Sequence, residues 1–394
     1  MSTPDISALI GLPPDDTLRA FQARGELRLT TNWDEMFGGD HARAFTAAKI
    51  AKLDIVAALQ ESFRPVVDGG MTLEAWQASV RPELERLGWW GRVENRESTG
   101  TDRPVFIGPR RLRTIFNTNL RVSRAAGQWA RIQELKGVAP YLRYVAVNDS
   151  RTRDEHRRWH GTILRWDHPW WDTHFPPCGW NCRCTVDQLS ERDLRAFGYE
   201  VSKEPPPEGR PRPYQRSNGE VVSVPKGIDP GWAYNPGKAH LRAVGEKAVA
   251  SVERAASADV PAARAVVADL LADRAFSAVL AAADGPFPVA VLDDAAAGML
   301  GAEARAVILP GRAMPGLPVE VARTLPQLAA DPILVVEDRA VRVVVYRDGG
   351  TLFRAALRIE DGAAVLDEVV ALGALADAEL DALAASGRVL LDRR

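Results

Sequence analysis

The chain has 394 residues, 46% hydrophobic and 26% charged, with a formal net charge of −2. This is a globular composition long enough for two or three domains, and its charge balance gives no overall drive toward nucleic acid or an anionic membrane. No apolar run approaches the roughly 20 residues of a membrane span, and the acidic start MSTPDISALIGLPPDD lacks the basic and apolar regions of a signal peptide, so residence in a cytoplasm is expected.

Turn signals at Pro13-Pro14 and Gly38-Gly39 punctuate a mixed opening stretch. Apolar residues then recur at helical spacing from Ala44 to Phe63, through Phe45, Ala48, Ala51, Ile55 and Leu59, which predicts a helix. Thr72 is a candidate N-cap for a helix through Leu87, and Pro82 is placed to kink or divide it. A third helix is predicted over 109–135, giving a helical N-terminal region, 1–135, that reads as a docking arm. Tyr141–Val147 reads as a strand, Thr185-Val186 as a returning strand, and Ser190 as the start of a helix through Phe197. Together they frame a small irregular module at 136–202. Residues 203–240 form a Pro-rich linker, expected to be extended and exposed. Ala-rich helices at 239–257 and 260–283 come next, mostly within a connector at 241–284. From Pro286 the pattern changes to five strands, at 288–292, 306–309, 332–336, 341–346 and 352–357, with helices near 294–301 and 319–329. Arg347-Asp348-Gly349-Gly350 reads as a hairpin turn. Residues 285–394 are thus a separate C-terminal domain, and the fold class is α+β.

The chemistry is concentrated in one window. His156, His160, His168 and His174 are four of the six histidines, and Cys178, Cys182 and Cys184 are the three cysteines. Five of the eleven tryptophans share that window. His156 and His160 are four apart, so on a helix both imidazoles share a face. Cys182 and Cys184 are two apart, so on a strand both sulfurs share a face. Imidazole and thiolate are the ligands of tetrahedral zinc. The expected set is His156, Cys182 and Cys184, with His160 and Cys178 competing for the fourth place. Such a site would be structural, pinning 148–160 to 176–184. A metal-free reading also stands, with the thiols as small buried hydrophobes and the histidines capping turns. Catalytic zinc fails on sequence: the pair is H-R-R-W-H, with Arg157 where a metalloprotease needs its base, and the spacing of a nucleobase deaminase is missing. Nothing orients a base for a cysteine nucleophile, so no catalytic residue is assigned.

The order D-x-R-T-R-x-x-H-x-x-x-H-G and then P-P-x-G-W-N-C-R-C resembles the Mu gpF-like domain of phage head morphogenesis proteins. The motif positions are Asp149, Arg151, Thr152, Arg153, His156, His160, Gly161, Pro176, Pro177, Gly179, Trp180, Asn181, Cys182, Arg183 and Cys184. The flanks Arg113–Asn119 and Gly231–Gly237 resemble that family as well. Many relatives carry T-C-x-x-C where this chain has Thr152–His156, which places His156 at the second cysteine and Arg153 at the first. The resemblance implies a minor head protein with the portal protein and a scaffold or major capsid protein as partners. A DNA contact stays open. The implied location is the virion, at the head interior or portal vertex, and the host cytoplasm during assembly. Residues 286–370 resemble, faintly, a phage-borne nuclease domain, which leaves a ribonuclease-like effector as the alternative. Arg323, Arg339, Arg342, Arg347 and Arg354 would then bind phosphate, with Glu337 as base.

Overall fold

An apolar stripe marks the main N-terminal helices, and Thr72 and Asn95 add side-chain caps to two of the helices there. The computed structural model describes residues 14–22, 24–272, 276, 280, 285–311, 317–372 and 376–394. The expected turn at Pro13 lies outside the described residues. Helix α1 (Pro14–Gln22) precedes a short parallel pair, β1 (Glu26–Leu27) and β2 (Ala44–Phe45). Then come α2 (Leu53–Ser62), α3 (Arg64–Val67), α4 (Leu73–Arg86), β3 (Gly91–Val93), α5 (Arg96–Thr99), β4 (Val105–Ile107) and the long α6 (Pro109–Leu135). Thr72 caps α4 by accepting the Ala75 amide, and Pro82 sits inside α4 without dividing it. The helix expected from Ala44 begins only at Leu53. Phe45 pairs in β2, Ile50 bridges Thr30, and Lys49 takes a φ of 65°. The apolar spacing over 44–51 therefore marks buried loop positions. Phe45, Ile55, Leu59, Phe63, Trp76, Leu84, Leu112 and Phe116 close one core, with the Phe63 and Trp76 rings 4.8 Å apart. Each such side chain contributes about 1.5–3 kcal/mol through burial.

The module is built on a small antiparallel sheet in the order β6-β5-β7, made of β5 (Tyr141–Val145), β6 (Ile163–Arg165) and β7 (Thr185–Leu189). Two short helices, α7 (Asp154–Trp159) and α8 (Trp171–His174), lie in its connections, and α9 (Glu191–Phe197) comes after it with Ser190 in a capping box. Helix α6 is tied to β7 by side chains. Gln128 Nε2 donates to the Val186 carbonyl at 2.7 Å, and Gln188 Nε2 to the Ile132 carbonyl at 3.1 Å. The Pro-rich segment contains a hairpin, β8 (Arg212–Gln215) and β9 (Val221–Val224), and the stretch 232–235 beyond it packs on the module. Trp232 meets Trp180 edge to face at 5.1 Å, and Asn235 Nδ2 donates to the Trp171 carbonyl.

The chain divides into two units, 1–240 and 241–394, and the division falls within α10 (Pro236–Ala258). Helix α11 spans Val260–Ala272; most of the remainder of the helix expected over 260–283 lies outside the described residues. The second unit carries a seven-stranded sheet in the order β10-β11-β15-β14-β13-β12-β16. Its strands are β10 (Phe287–Val291), β11 (Ala306–Leu309), β12 (Pro332–Asp338), β13 (Val341–Asp348), β14 (Thr351–Glu360), β15 (Ala363–Leu372) and β16 (Arg388–Asp392). All neighbours run antiparallel except β11 with β15. Gly349 and Gly350 form the turn between β13 and β14 with φ of 53° and 90°, the left-handed pair that a tight hairpin requires. The sheet adds β15 and β16 to the five expected strands. The consecutive acids Asp367 and Glu368 obscure β15 in the sequence; a register shift accommodates them, and Arg358 and Arg354 on β14 pair with them. The helix expected over 319–329 is two, Val319–Thr324 and Gln327–Ala330. Among the described residues no helix is long and apolar enough to cross a membrane.

Candidate metal centre

The loop after β5 turns back at Asn148, whose φ is 59°, and enters α7. Asp149 organises this turn. Its carboxylate accepts the Arg151 amide at 3.0 Å, the Thr152 hydroxyl at 3.2 Å, and both arms of the Arg183 guanidinium, Nη1 at 2.7 Å. The fork geometry holds the Asp149 carboxyl well below the usual carboxylate range. The 149–152 turn is thereby fastened to the extended 182–184 segment that feeds β7. Asn181 supplies the bend before that segment, with φ of 55°, and Gly161 takes φ of 85° as α7 returns to the sheet.

These ties bring three of the five expected ligands together. The ligand atoms of His156, Cys182 and Cys184 lie within 4.8 Å of one another. His156 Nδ1 is 3.6 Å from Cys182 Sγ and 3.4 Å from Cys184 Sγ. Zinc–nitrogen and zinc–sulfur bonds of about 2.0–2.1 and 2.3 Å at the tetrahedral angle give a nitrogen–sulfur edge of about 3.5 Å, so this spacing fits zinc. The other ring nitrogen, Nε2, is 2.9 Å from the Gly227 carbonyl. A proton on Nε2 donates there and leaves the Nδ1 lone pair facing the sulfurs, the outer contact that orients a metal-binding histidine. The Trp159 ring stacks on His156 at 4.7 Å. The thiols act as a pair: hydrogen bonding from Cys184 holds the Cys182 thiol well below its ordinary range, and that same bond, with burial, pushes Cys184 up. A metal bound by both sulfurs would displace their protons.

The structure places His160 and Cys178 elsewhere. Helix α7 stops at Trp159, so His160 leaves the helical face of His156, and its Nδ1 accepts the Ala146 amide at 3.1 Å. Cys178 is buried, donates to the His174 carbonyl at 3.3 Å, and lies 3.9 Å from the Tyr144 hydroxyl. Arg153, which the resemblance sets at the place of a cysteine, pairs with Asp229 at 2.6 Å. Asp229 also accepts the Trp180 amide at 2.8 Å, and a Cβ on Gly179 would run into this ion pair. The window's remaining histidines serve packing. His168 accepts the Trp170 amide, and the buried His174 stacks on Trp170 at 4.6 Å. Gly227, Asp229 and Tyr144 carry no signal in the sequence. The first two are more than 70 residues from their partners (separations 71 and 76), and only the hydrogen-bonding map reveals them.

The triad lines a cleft of about 420 Å³ whose wall includes Arg110, Arg113 and Arg121 of α6. In the second unit the candidate phosphate-binding arginines are largely engaged. Glu337 is held by Arg342 at 2.7 Å and Arg388 at 3.2 Å, Arg323 pairs with Glu320, and Arg354 with Glu368.

Comparison with known proteins covers the same stretch of the chain. Residues 58–187, which span α2 to β7 and contain the triad, match the family described as Phage Mu protein F like protein. The chain is 37% identical over 254 residues to the putative capsid assembly protein F of Escherichia phage Mu, which covers 60% of this chain and 57% of that protein. It is 40% identical over 177 residues to the Mu-like prophage FluMu F protein of Haemophilus influenzae, covering 45% of this chain and 42% of that one. The chain thus spans about half the length of the curated relatives it matches. No solved structure matches it at a significant level.

Proposed function

We propose, from the match of residues 58–187 to the Phage Mu protein F like family, that this chain is a minor head protein of a tailed phage and that its His/Cys module is a structural zinc clamp. The name of the phage Mu relative, a putative capsid assembly protein, supports the assembly role. One observation carries the clamp: an imidazole nitrogen is aimed at two sulfurs at the edge lengths of a zinc tetrahedron, with its tautomer fixed by Gly227. His156, Cys182 and Cys184 would hold the ion at three of its four tetrahedral positions, the described residues grouping no fourth ligand with them; the ion would neutralise the thiolates and cross-link α7 to the entry of β7. Asp149, Arg183, Arg153 and Asp229 brace the same two segments from either side. The clamp holds a surface for other head proteins, with the portal protein and a scaffold or major capsid protein as partners at the procapsid. Co-expression with the portal, scaffold and capsid genes of the same phage tests this. The chain should sediment with assembled heads in few copies; its complete absence from purified heads would overturn the assignment.

A further inference from the structure

We infer that the cleft beside the triad is a binding site for phosphate oxyanions. The inference stands apart from the head-assembly reading, because it rests on the cleft's own charge. Six arginines line it, Arg110, Arg113, Arg121, Arg151, Arg153 and Arg183, and no aspartate or glutamate does. Asp149 neutralises Arg183 and lies 3.7 Å from Arg151, and Asp229 neutralises Arg153. Arg110, Arg113 and Arg121 have no carboxylate partner among the described residues. The whole chain carries a net charge of −2, so this patch is not the reflection of a generally basic protein.

The arrangement opposes the local electrostatics of the free protein. Arg110, Arg113, Asn117 and Arg121 recur three or four residues apart, on one face of α6. The first turn of α6 has no acidic residue, and the first acid of the helix is Glu134. Cations at a helix N-terminus sit at the positive end of its dipole, an unfavourable position that a bound anion relieves. Arg121 lines the same wall and is fixed by a backbone contact. Its Nη1 donates to the Cys182 carbonyl at 2.6 Å, so its head is held at the triad end of the cleft. Guanidinium forks match phosphate oxygens in pairs. Asn117 and Thr114 add neutral polar groups to the wall. At 1.5 Å per residue, Arg110 to Arg121 spans about 16 Å, which exceeds a single phosphate and suits successive phosphates of a chain.

The test uses the full chain with two probes, inorganic phosphate and a short duplex DNA, which separate a free anion from a phosphodiester. Arg110→Glu with Arg113→Glu changes exposed side chains, and Arg192→Glu is the charge control outside the cleft. In fluorescence anisotropy, duplex affinity should fall about tenfold or more in the double variant. The slope of log affinity against log salt should fall by about 2. The control should bind as the wild type does. A rise in melting temperature with phosphate, present in the wild type and lost in the double variant, supports the site even without duplex binding. Should charge reversal disturb the tryptophan fluorescence of the folded protein, Arg113→Gln carries the same readouts. Absence of binding to both probes overturns the proposal, as does binding that survives in the cleft variants.

Discussion

The two units of the chain solve the folding problem in different ways. All eleven tryptophans, six histidines and three cysteines fall within residues 1–240, and residues 241–394 contain none of them. In the first unit the small sheet is short and long stretches are irregular, so individual side chains hold the backbone. Arg183 grips the 149–152 turn, Asp229 grips Trp180, and Asn235 grips α8. In the second unit a seven-stranded ladder does that work, and aliphatic residues such as Val344, Val345 and Ala355 fill the buried positions. A fold held by named side chains is sensitive at single positions; one held by a ladder spreads the cost. The difference also makes the units separately observable, because tryptophan fluorescence reports the first alone.

The largest contrast should come from Gly237→Ala. A Cβ there would overlap Trp129, a fully buried side chain, and the Gly237 amide is already committed to Asn235 Oδ1 at 2.9 Å. We expect a loss of about 4 kcal/mol or more, read as a collapsed urea midpoint in tryptophan fluorescence. Wild-type stability would show that the packing at α10 yields freely.

Next comes pH. Burial pushes His174 and His240 down to about 4, so both are neutral in the folded state, whereas in the unfolded chain they titrate near 6.5. The unfolded state then binds more protons between those values. Stability of the first unit should be full above about pH 6.5 and fall by up to about 3 kcal/mol per histidine as pH drops to about 4. The second unit has no histidine and no such term. Urea midpoints from fluorescence at neutral pH and near the lower limit measure it. His240→Gln should flatten the dependence, and an unchanged midpoint across the window would contradict the burial argument.

The smallest effect should be Val345→Ala in β13. This buried residue lies on a central strand, and its truncation should cost about 2 kcal/mol. Far-UV circular dichroism should show the loss while tryptophan fluorescence keeps its midpoint. A concerted shift of both signals would mean that the two units unfold as one.

The same division governs what the sequence could reveal. Local signals carried through: Thr72 and Ser190 cap their helices, and Gly349-Gly350 turns its hairpin, because each needs only neighbours in the chain. The pairing of Cys182 with Cys184 was legible for the same reason, since alternate residues of an extended segment face one way. His160 was not, because α7 ends one residue short of it. Neither Gly227 nor Asp229 carries any local mark of its role; each acts on a residue far away in sequence. Strand β15 was hidden because two consecutive exposed acids break its alternation, and the β14 arginines that pair with them carry no local mark.

The clamp is the claim on which the account of the first unit turns, and metal content tests it most directly. The 394-residue chain purified without chelator should carry about one zinc per chain by mass spectrometry, and Cys182→Ser with Cys184→Ser close to none. Chelation should lower the melting temperature of the wild type and leave that of the double variant unchanged. Equal metal content in the two proteins would contradict the clamp.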